Sequence, residues 1–255
     1  MSSKKLKELY DCIEKTVINE SRDSKITRQK IQSLNNHVQP NSDQAYYRIL
    51  VTAIFHGSGI KAKQLEKVLT DEFFSVQPFS DFNAVLKLSA QDREELARPE
   101  KIGYSQSLHR VFDSTEVFKR KIGSGTFHDY LANFDSPEKR YKELKREFKG
   151  LGKVSTYHFL KMCGYPTIKP DTVIARVFFR LGLLKDKEDI EAIRKIGDDF
   201  VKATNHSYER IDSVLVKFGA EGSSDYLGPT TGVCEEQRPR CEACRAEPFC
   251  NYNGI

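Results

Sequence analysis

Four cysteines near the end of the chain have a spacing that could bind metal. They follow the pattern Cys234-x6-Cys241-x2-Cys244-x5-Cys250. Thiolates are soft ligands, and in a reducing compartment such closely spaced cysteines bind metal more often than they form disulfides. Zinc sites usually have two close pairs and a longer spacer, whereas this spacing distributes one cysteine to each iron of a cuboidal cluster. The spacing therefore favours a 4Fe-4S cluster over zinc, and either metal would fold a segment too polar to fold unaided.

A glycine turn in a basic stretch forms the second motif with evident chemistry. Residues 148–155 read FKGLGKVS, and residues 141–161 carry six basic side chains against two acidic ones. Gly150 and Gly152 let the backbone approach a phosphodiester closely, and the N–H groups that begin the following helix point outward with the positive end of its dipole behind them. Ordinary helix–helix turns also use glycine, and a basic stretch can be a solvated helix face. The motif alone leaves both interpretations open.

The elements that must position these motifs are helices. Apolar residues recur at three- and four-residue spacing in nine segments. These predicted helices cover residues 4–19, 43–55, 61–73, 105–121, 137–148, 154–163, 172–181, 188–204 and 208–218. No convincing alternating strand pair is found, and residues 219–231 are a Gly/Ser/Thr-rich linker into the cysteine loop. The sequence predicts an all-α fold.

Length and composition exclude several classes of protein. The chain has 255 residues, of which 38% are hydrophobic and 30% charged, with 15 Gly and 9 Pro, so it is neither disordered, fibrous nor a disulfide-stapled miniprotein. The longest largely apolar stretch, residues 49–55, is far short of the roughly 20 residues of a membrane span, and the N-terminus lacks a signal-peptide pattern. We expect an intracellular protein, cytoplasmic or in the nucleoid. The net charge of +5 would assist binding to a polyanion.

Three features in order resemble the endonuclease III branch of the helix-hairpin-helix DNA glycosylases. They are the Gly-Leu-Gly hairpin, the sequence IKPDTV at residues 168–173, and the 6-2-5 cysteine loop, and the similarity spans about residues 43–250. The resemblance implies two helical domains flanking a DNA-binding cleft. One would be residues 41–164, a six-helix domain ending in the helix-hairpin-helix; the other would join residues 1–40 to residues 165–255 with the iron–sulfur loop.

The same resemblance implies base excision repair of double-stranded DNA containing a damaged base, by a protein that we expect to be a monomer. The residues expected to bind DNA are Lys149, Gly150, Gly152, Lys153 and Ser155.

Asp171 is the candidate catalytic residue. An aspartate directly before a helix is most often an N-cap, but the resemblance implies a role in chemistry. Cleaving an N-glycosidic bond builds positive charge on the deoxyribose. A carboxylate beneath the sugar can stabilise that charge and orient or deprotonate the attacking water. The target base must first be flipped out of the helix into a pocket.

The position of a possible nucleophilic lysine decides whether the enzyme also cuts the strand. Relatives that do so place a lysine two residues after the second hairpin glycine, where this chain has Val154. We therefore expect a monofunctional glycosylase that leaves an abasic site. Lys153 lies one position earlier, so a bifunctional glycosylase/lyase using Lys153 is the alternative, although a one-residue shift turns a side chain about 100° around the helix.

The residues around the base are less well defined. Adenine glycosylases of this family carry a second carboxylate in the helix matching residues 46–55, and this chain has none there. His56 either fills the space left by the flipped base or simply ends a helix. Tyr47 and Tyr157 could stack on a base, although aromatic residues at helical spacing are more often core. Residues 103–134 and 156–160 are faintly similar to alkyladenine glycosylases. Alkylated purines are thus candidates beside deaminated or oxidised pyrimidines.

A different class of protein remains open from the residues alone. In a noncatalytic DNA-binding helical protein, with either an iron–sulfur cluster or a four-cysteine zinc module, Asp171 would only cap its helix. The basic hairpin would then only dock on DNA.

Overall fold

The computed structural model describes residues 1–57, 65, 69–70, 73–74, 78–98, 105–221, 223–224 and 227–252. The described chain is helical, which confirms the predicted all-α class. Its α-helices are α1 Ser3–Asn19, α2 Ser24–Ser33, α3 Asp43–His56, α4 Phe82–Leu86, α5 Ala90–Leu96, α6 Ser105–Ile122, α7 Phe127–Ala132, α8 Pro137–Glu147, α9 Lys153–Met162, α10 Thr172–Arg180, α11 Ile190–Thr204 and α12 Tyr208–Gly219. None of the helices found in these ranges is long and apolar enough to cross a bilayer.

The chain divides into two compact units. The continuous unit is Val38–Gly164, and the discontinuous unit joins Met1–His37 to Tyr165–Ile255. In the continuous unit α3 packs against α6, α7 and α9, and seven of its side chains are buried. Aromatic rings fill the space around α3, with Phe118 and Phe127 stacked at a centroid distance of 4.3 Å. This core holds α9 and the turn before it.

In the discontinuous unit α1 packs against α11 and α12, and α10 packs against α12. The loop before α10 is held by a close contact with α11, because a Cβ on Gly197 would lie only 2.5 Å from Ile168. Ile168 is fully buried. The packing of this loop fixes the start of α10, where Asp171 lies.

The structure adds elements that the sequence pattern did not predict. The helices α2, α4, α5 and α7 have five to ten residues each and bury at most two side chains, so they carry little periodic signal. Within the predicted linker, Ser223–Ser224 and Thr230–Thr231 form an antiparallel pair too short for an alternating pattern. Most of the helix predicted for residues 61–73 lies outside the described residues.

Candidate functional site

The glycine turn joins α8 to α9 and is anchored in the core of the continuous unit. Phe148 and Leu151 are buried, and the Leu151 N–H donates to the Phe148 carbonyl at 2.8 Å. Gly150 lies directly on α3, since a Cβ there would come within 2.6 Å of the Ile54 side chain. Gly152 differs, because a Cβ there would meet only the Ser155 hydroxyl, at 3.7 Å. Gly150 serves packing, whereas Gly152 faces open space.

The start of α9 offers unpaired backbone donors. Gly152 occupies the N-cap position and has no side chain to cap the helix. Within the described residues, the backbone N–H groups of Lys153, Val154 and Ser155 have no protein acceptor. Three such donors at the positive end of a helix have the chemistry to bind an anion. The Ser155 hydroxyl is not part of it, because that side chain is buried and accepts the Gly152 N–H at 2.8 Å.

Acidic side chains near this turn form close ion pairs, whereas the lysines of the turn itself are exposed. Two of the three acidic residues of α8 are engaged near the turn, since Glu143 and Glu147 pair with Lys121 at 3.2 and 2.9 Å and with Arg146. Lys153 is exposed. Lys149 is 80% exposed, and its Nζ forms a long ion pair of 3.9 Å with Asp113, which is itself exposed. Lys149 and Lys153 therefore place accessible positive charge at the turn.

Asp171 caps α10 with one of its two carboxylate oxygens. Oδ1 accepts the backbone N–H groups of Val173 and Ile174, both at 3.1 Å. Oδ2 takes no part in the cap and lies 3.7 Å from Lys169 Nζ. The Asp171 side chain is 18% exposed. Capping and chemistry are therefore compatible in this residue, because the cap uses only Oδ1.

The four cysteines line one cavity in the discontinuous unit. Cys234, Cys241, Cys244 and Cys250 surround a space of about 350 Å³, together with Arg180 and Tyr252 among others. Two donors point at sulfur: Arg180 Nη1 lies 3.5 Å from Cys234 Sγ and the Tyr252 N–H lies 3.4 Å from Cys250 Sγ. Burial raises the pKa of the Cys244 thiol to about 11, so metal binding would release its proton.

The four cysteines share the lining of one cavity without closing around a single point. The described residues hold no group of three or more cysteine, histidine or acidic side chains arranged to bind a metal ion. A tetrahedral zinc site draws every sulfur to about 2.3 Å from one point, whereas a cuboidal cluster fills a larger volume between its cysteines.

Two arginines bind the cysteine loop to α10 and were not identified from the sequence. Arg180 donates to the carbonyls of Glu235 and Glu236 at 2.6 and 2.9 Å. Arg176 donates to the Cys234 carbonyl at 3.5 Å and also to the Gly219 carbonyl, at the end of α12, at 2.6 Å. Both are buried. In the sequence they are visible only as two arginines four residues apart in a largely apolar helix. That pattern does not reveal what they bind.

The aromatic residues predicted near the base have different surroundings. Tyr47 has no exposed surface, and its hydroxyl bonds Thr115 Oγ1 at 2.9 Å. It is a core residue of the continuous unit and is not available to stack on a base. Tyr157 is 5% exposed and stacks on Tyr141 at a centroid distance of 4.4 Å. His56 is the last residue of α3 and is half-buried. Its ring meets the His158 ring edge-on, at a centroid distance of 4.8 Å.

Comparison with known proteins identifies the fold. No protein-family model matches the chain, and no curated protein matches it in sequence. Among solved structures, it is similar to endonuclease III in a trapped covalent intermediate with DNA, an estranged-adenine complex. The TM-score is 0.60 at 16% identity, over 96% of this chain and 95% of that one. The protein has the all-α helix-hairpin-helix fold of endonuclease III.

Proposed function

We propose that this protein is a DNA glycosylase that hydrolyses the N-glycosidic bond of a damaged base flipped out of duplex DNA. The observation that carries the proposal is that the cap of α10 uses only one of the two carboxylate oxygens of Asp171. Oδ1 holds the helix start while Oδ2 takes no part in the cap, at the beginning of α10 in an endonuclease III-like fold. The residue is rigidly placed yet retains one oxygen for chemistry.

Hydrolysis at this site requires one fixed negative charge. As the bond from C1′ to the base breaks, the base leaves with the bonding electrons and positive charge develops on the sugar. Oδ2 of Asp171 stabilises that charge and orients or deprotonates the water that adds to C1′. The products are the free base and an abasic sugar. Flipping costs a few kcal/mol and is easiest for a damaged or mispaired base.

DNA contact outside the flipped nucleotide is assigned to the glycine turn. The unpaired N–H groups at the start of α9 would bind phosphate oxygens, with Lys149 and Lys153 supplying charge. Ser155 contributes through its backbone, since its hydroxyl is used inside the turn. Contacts of this kind position the duplex without reading its sequence. Double-stranded DNA is the proposed partner, and we propose that the protein acts as a monomer.

The proposed activity is monofunctional. Val154, the residue at the position of the nucleophilic lysine, has no amine, and Lys153 starts α9 with its side chain exposed. For the base pocket, His56 and Tyr157 remain candidates while Tyr47 does not. Alkylated purines and deaminated or oxidised pyrimidines are the proposed substrate classes.

A 4Fe-4S cluster is the proposed cofactor. The cavity supplies four thiol ligands, and Arg180 and the Tyr252 N–H would donate to the ligand sulfurs. When bound, the cluster supplies the cross-links that a short polar loop needs to fold. No step of base release passes through it.

The decisive experiment is a panel of duplexes, each with one modified base, incubated with the protein and scored with and without hot alkali. Base release from at least one duplex supports the proposal. Binding of duplex DNA without release from any of them would favour a noncatalytic DNA-binding protein.

A further inference from the structure

Lys169 is the ion-pair partner of the carboxylate oxygen that Asp171 leaves for chemistry. Its Nζ lies 3.7 Å from Asp171 Oδ2, which is an ion-pair distance and too long for a hydrogen bond. The side chains are 23% and 18% exposed, so the pair reaches solvent. A loose and partly exposed ion pair exchanges easily for another partner.

The backbone around this pair is held rigidly. The Lys169 N–H donates to Asp212 Oδ1 at 2.6 Å, and Asp212 is buried on α12. The Asp171 N–H donates to the Lys169 carbonyl at 2.8 Å, across Pro170. These hydrogen bonds therefore fix the backbone positions of Lys169 and Asp171. The long Lys169 side chain is the part that can move.

This pairing conflicts with the chemistry proposed for Asp171. An ammonium beside Oδ2 weakens the negative charge that must stabilise a sugar cation. A nucleotide entering the site carries a phosphodiester on each side, and these anions compete with Asp171 for the ammonium. An ammonium that binds a phosphate also neutralises that phosphate, which offsets part of the repulsion between Asp171 and the DNA backbone.

We propose that Lys169 binds a phosphodiester adjoining the flipped nucleotide, and that its transfer from Asp171 to phosphate exposes Oδ2 to the sugar. The inference rests on the proposed function for its catalytic consequence. The phosphate contact itself can be measured without catalysis.

The first test compares Lys169→Gln with Lys195→Gln, an exposed lysine of α11 in the same unit. The probe is a duplex with one tetrahydrofuran abasic analogue, and affinity is measured from low to high salt. Lys169→Gln should weaken binding about fivefold and reduce the slope of log affinity against log salt by about 0.9, as expected for one lost phosphate contact. Lys195→Gln should change neither value. An unchanged affinity and slope for Lys169→Gln would overturn the proposal.

The second test separates binding from structure. In an Asp171→Asn background the competing carboxylate is gone, so Lys169→Gln should weaken binding more than it does in the wild type. In single-turnover base release, Lys169→Gln should raise the half-saturating protein concentration about fivefold and leave the rate at saturation within about twofold. A large loss of that rate with unchanged affinity would show that Lys169 only maintains the turn.

Two further outcomes keep this inference distinct from the proposed function. If wild-type protein releases no base but Lys169→Gln still lowers the affinity and the salt slope, the glycosylase proposal fails and the phosphate contact stands. A borohydride-trapped DNA adduct lost specifically in Lys169→Gln would make this amine a nucleophile and overturn the binding role.

Discussion

Asp171 combines a structural and a chemical task in one side chain. Its Oδ1 satisfies two of the unpaired N–H groups at the start of α10. Aspartate and asparagine are about equally good N-caps, so Asp171→Asn removes the charge while preserving the cap. This substitution can therefore separate the two tasks.

We expect Asp171→Asn to reduce base release by at least about a hundredfold, because the fixed charge beneath the sugar is lost. DNA binding should be retained or tighter, since a negative group near the phosphates is removed. Single-turnover release and duplex affinity measure the two effects. Asp189→Asn is the matched control, because Asp189 caps α11 through Ala192 and is exposed. If Asp171→Asn released the base at the wild-type rate, Asp171 would be only an N-cap.

The wild-type protein should produce abasic DNA that breaks only after alkali. Val154 offers no amine at the position of the nucleophilic lysine, so no Schiff base forms there. Borohydride added during turnover should trap no adduct, and gel electrophoresis before and after alkali reads the result. A trapped adduct that disappears in Lys153→Ala would show a bifunctional lyase instead.

At the scale of elements, the two glycines of the turn do different work. Gly150 brings the turn against Ile54 of α3, while Gly152 keeps the start of α9 open. The open helix start is what a phosphate requires, and filling it from within the chain should block DNA.

Gly152→Asp should weaken binding to damaged and undamaged duplex alike. The new carboxylate has room, would cap the free N–H groups of α9, and would repel phosphate. Because aspartate is a favourable N-cap, the free energy of unfolding should not fall by more than a few tenths of a kcal/mol. Affinity and urea denaturation provide both readouts. Gly152→Ala, which adds volume without charge, is the control; equal affinity for all three proteins would remove the turn from the interface.

At the scale of the whole molecule, the cysteine loop is bound to two helices that lie far from it in the sequence, α1 and α10. The Arg245 N–H donates to Thr16 Oγ1 at 3.0 Å, and Arg240 pairs with Glu20 at 2.6 Å. Arg176 and Arg180 connect the loop to α10 through the carbonyls of Cys234 and Glu235. Loss of the loop's internal cross-links should therefore loosen α1 and α10 as well as the loop.

Cys241→Ser should lower the iron content and destabilise this part of the discontinuous unit. Amide hydrogen exchange should rise in the loop, at the end of α1 and in α10, and less in α3. Cys12→Ser is the control, because Cys12 lies in α1 and is not part of the cavity lining. Metal analysis of protein purified without air checks the ligand set directly: stoichiometric zinc without iron would contradict the cluster.

Local patterns in the sequence determined the all-α class, most of the longer helices and the two glycine and cysteine motifs. These features depend on residues within a few positions of one another, and near neighbours in the chain must be near in space. The spacing of the four cysteines predicted a shared ligand site for the same reason, and the structure places them around one cavity. The nature of the bound metal stays a prediction.

Only the tertiary structure decided which aromatic side chains are core and what they contact. Tyr47 is buried with its hydroxyl bonded to Thr115, 68 positions away, and Tyr157 is buried in a stack with Tyr141. The arginines of α10 reach carbonyls more than 40 positions away, and Lys169 is held by Asp212 at a separation of 43. Such partners are brought together by packing between distant segments, and the free energy of that packing depends on the whole core. Residue spacing within one segment therefore cannot predict these contacts.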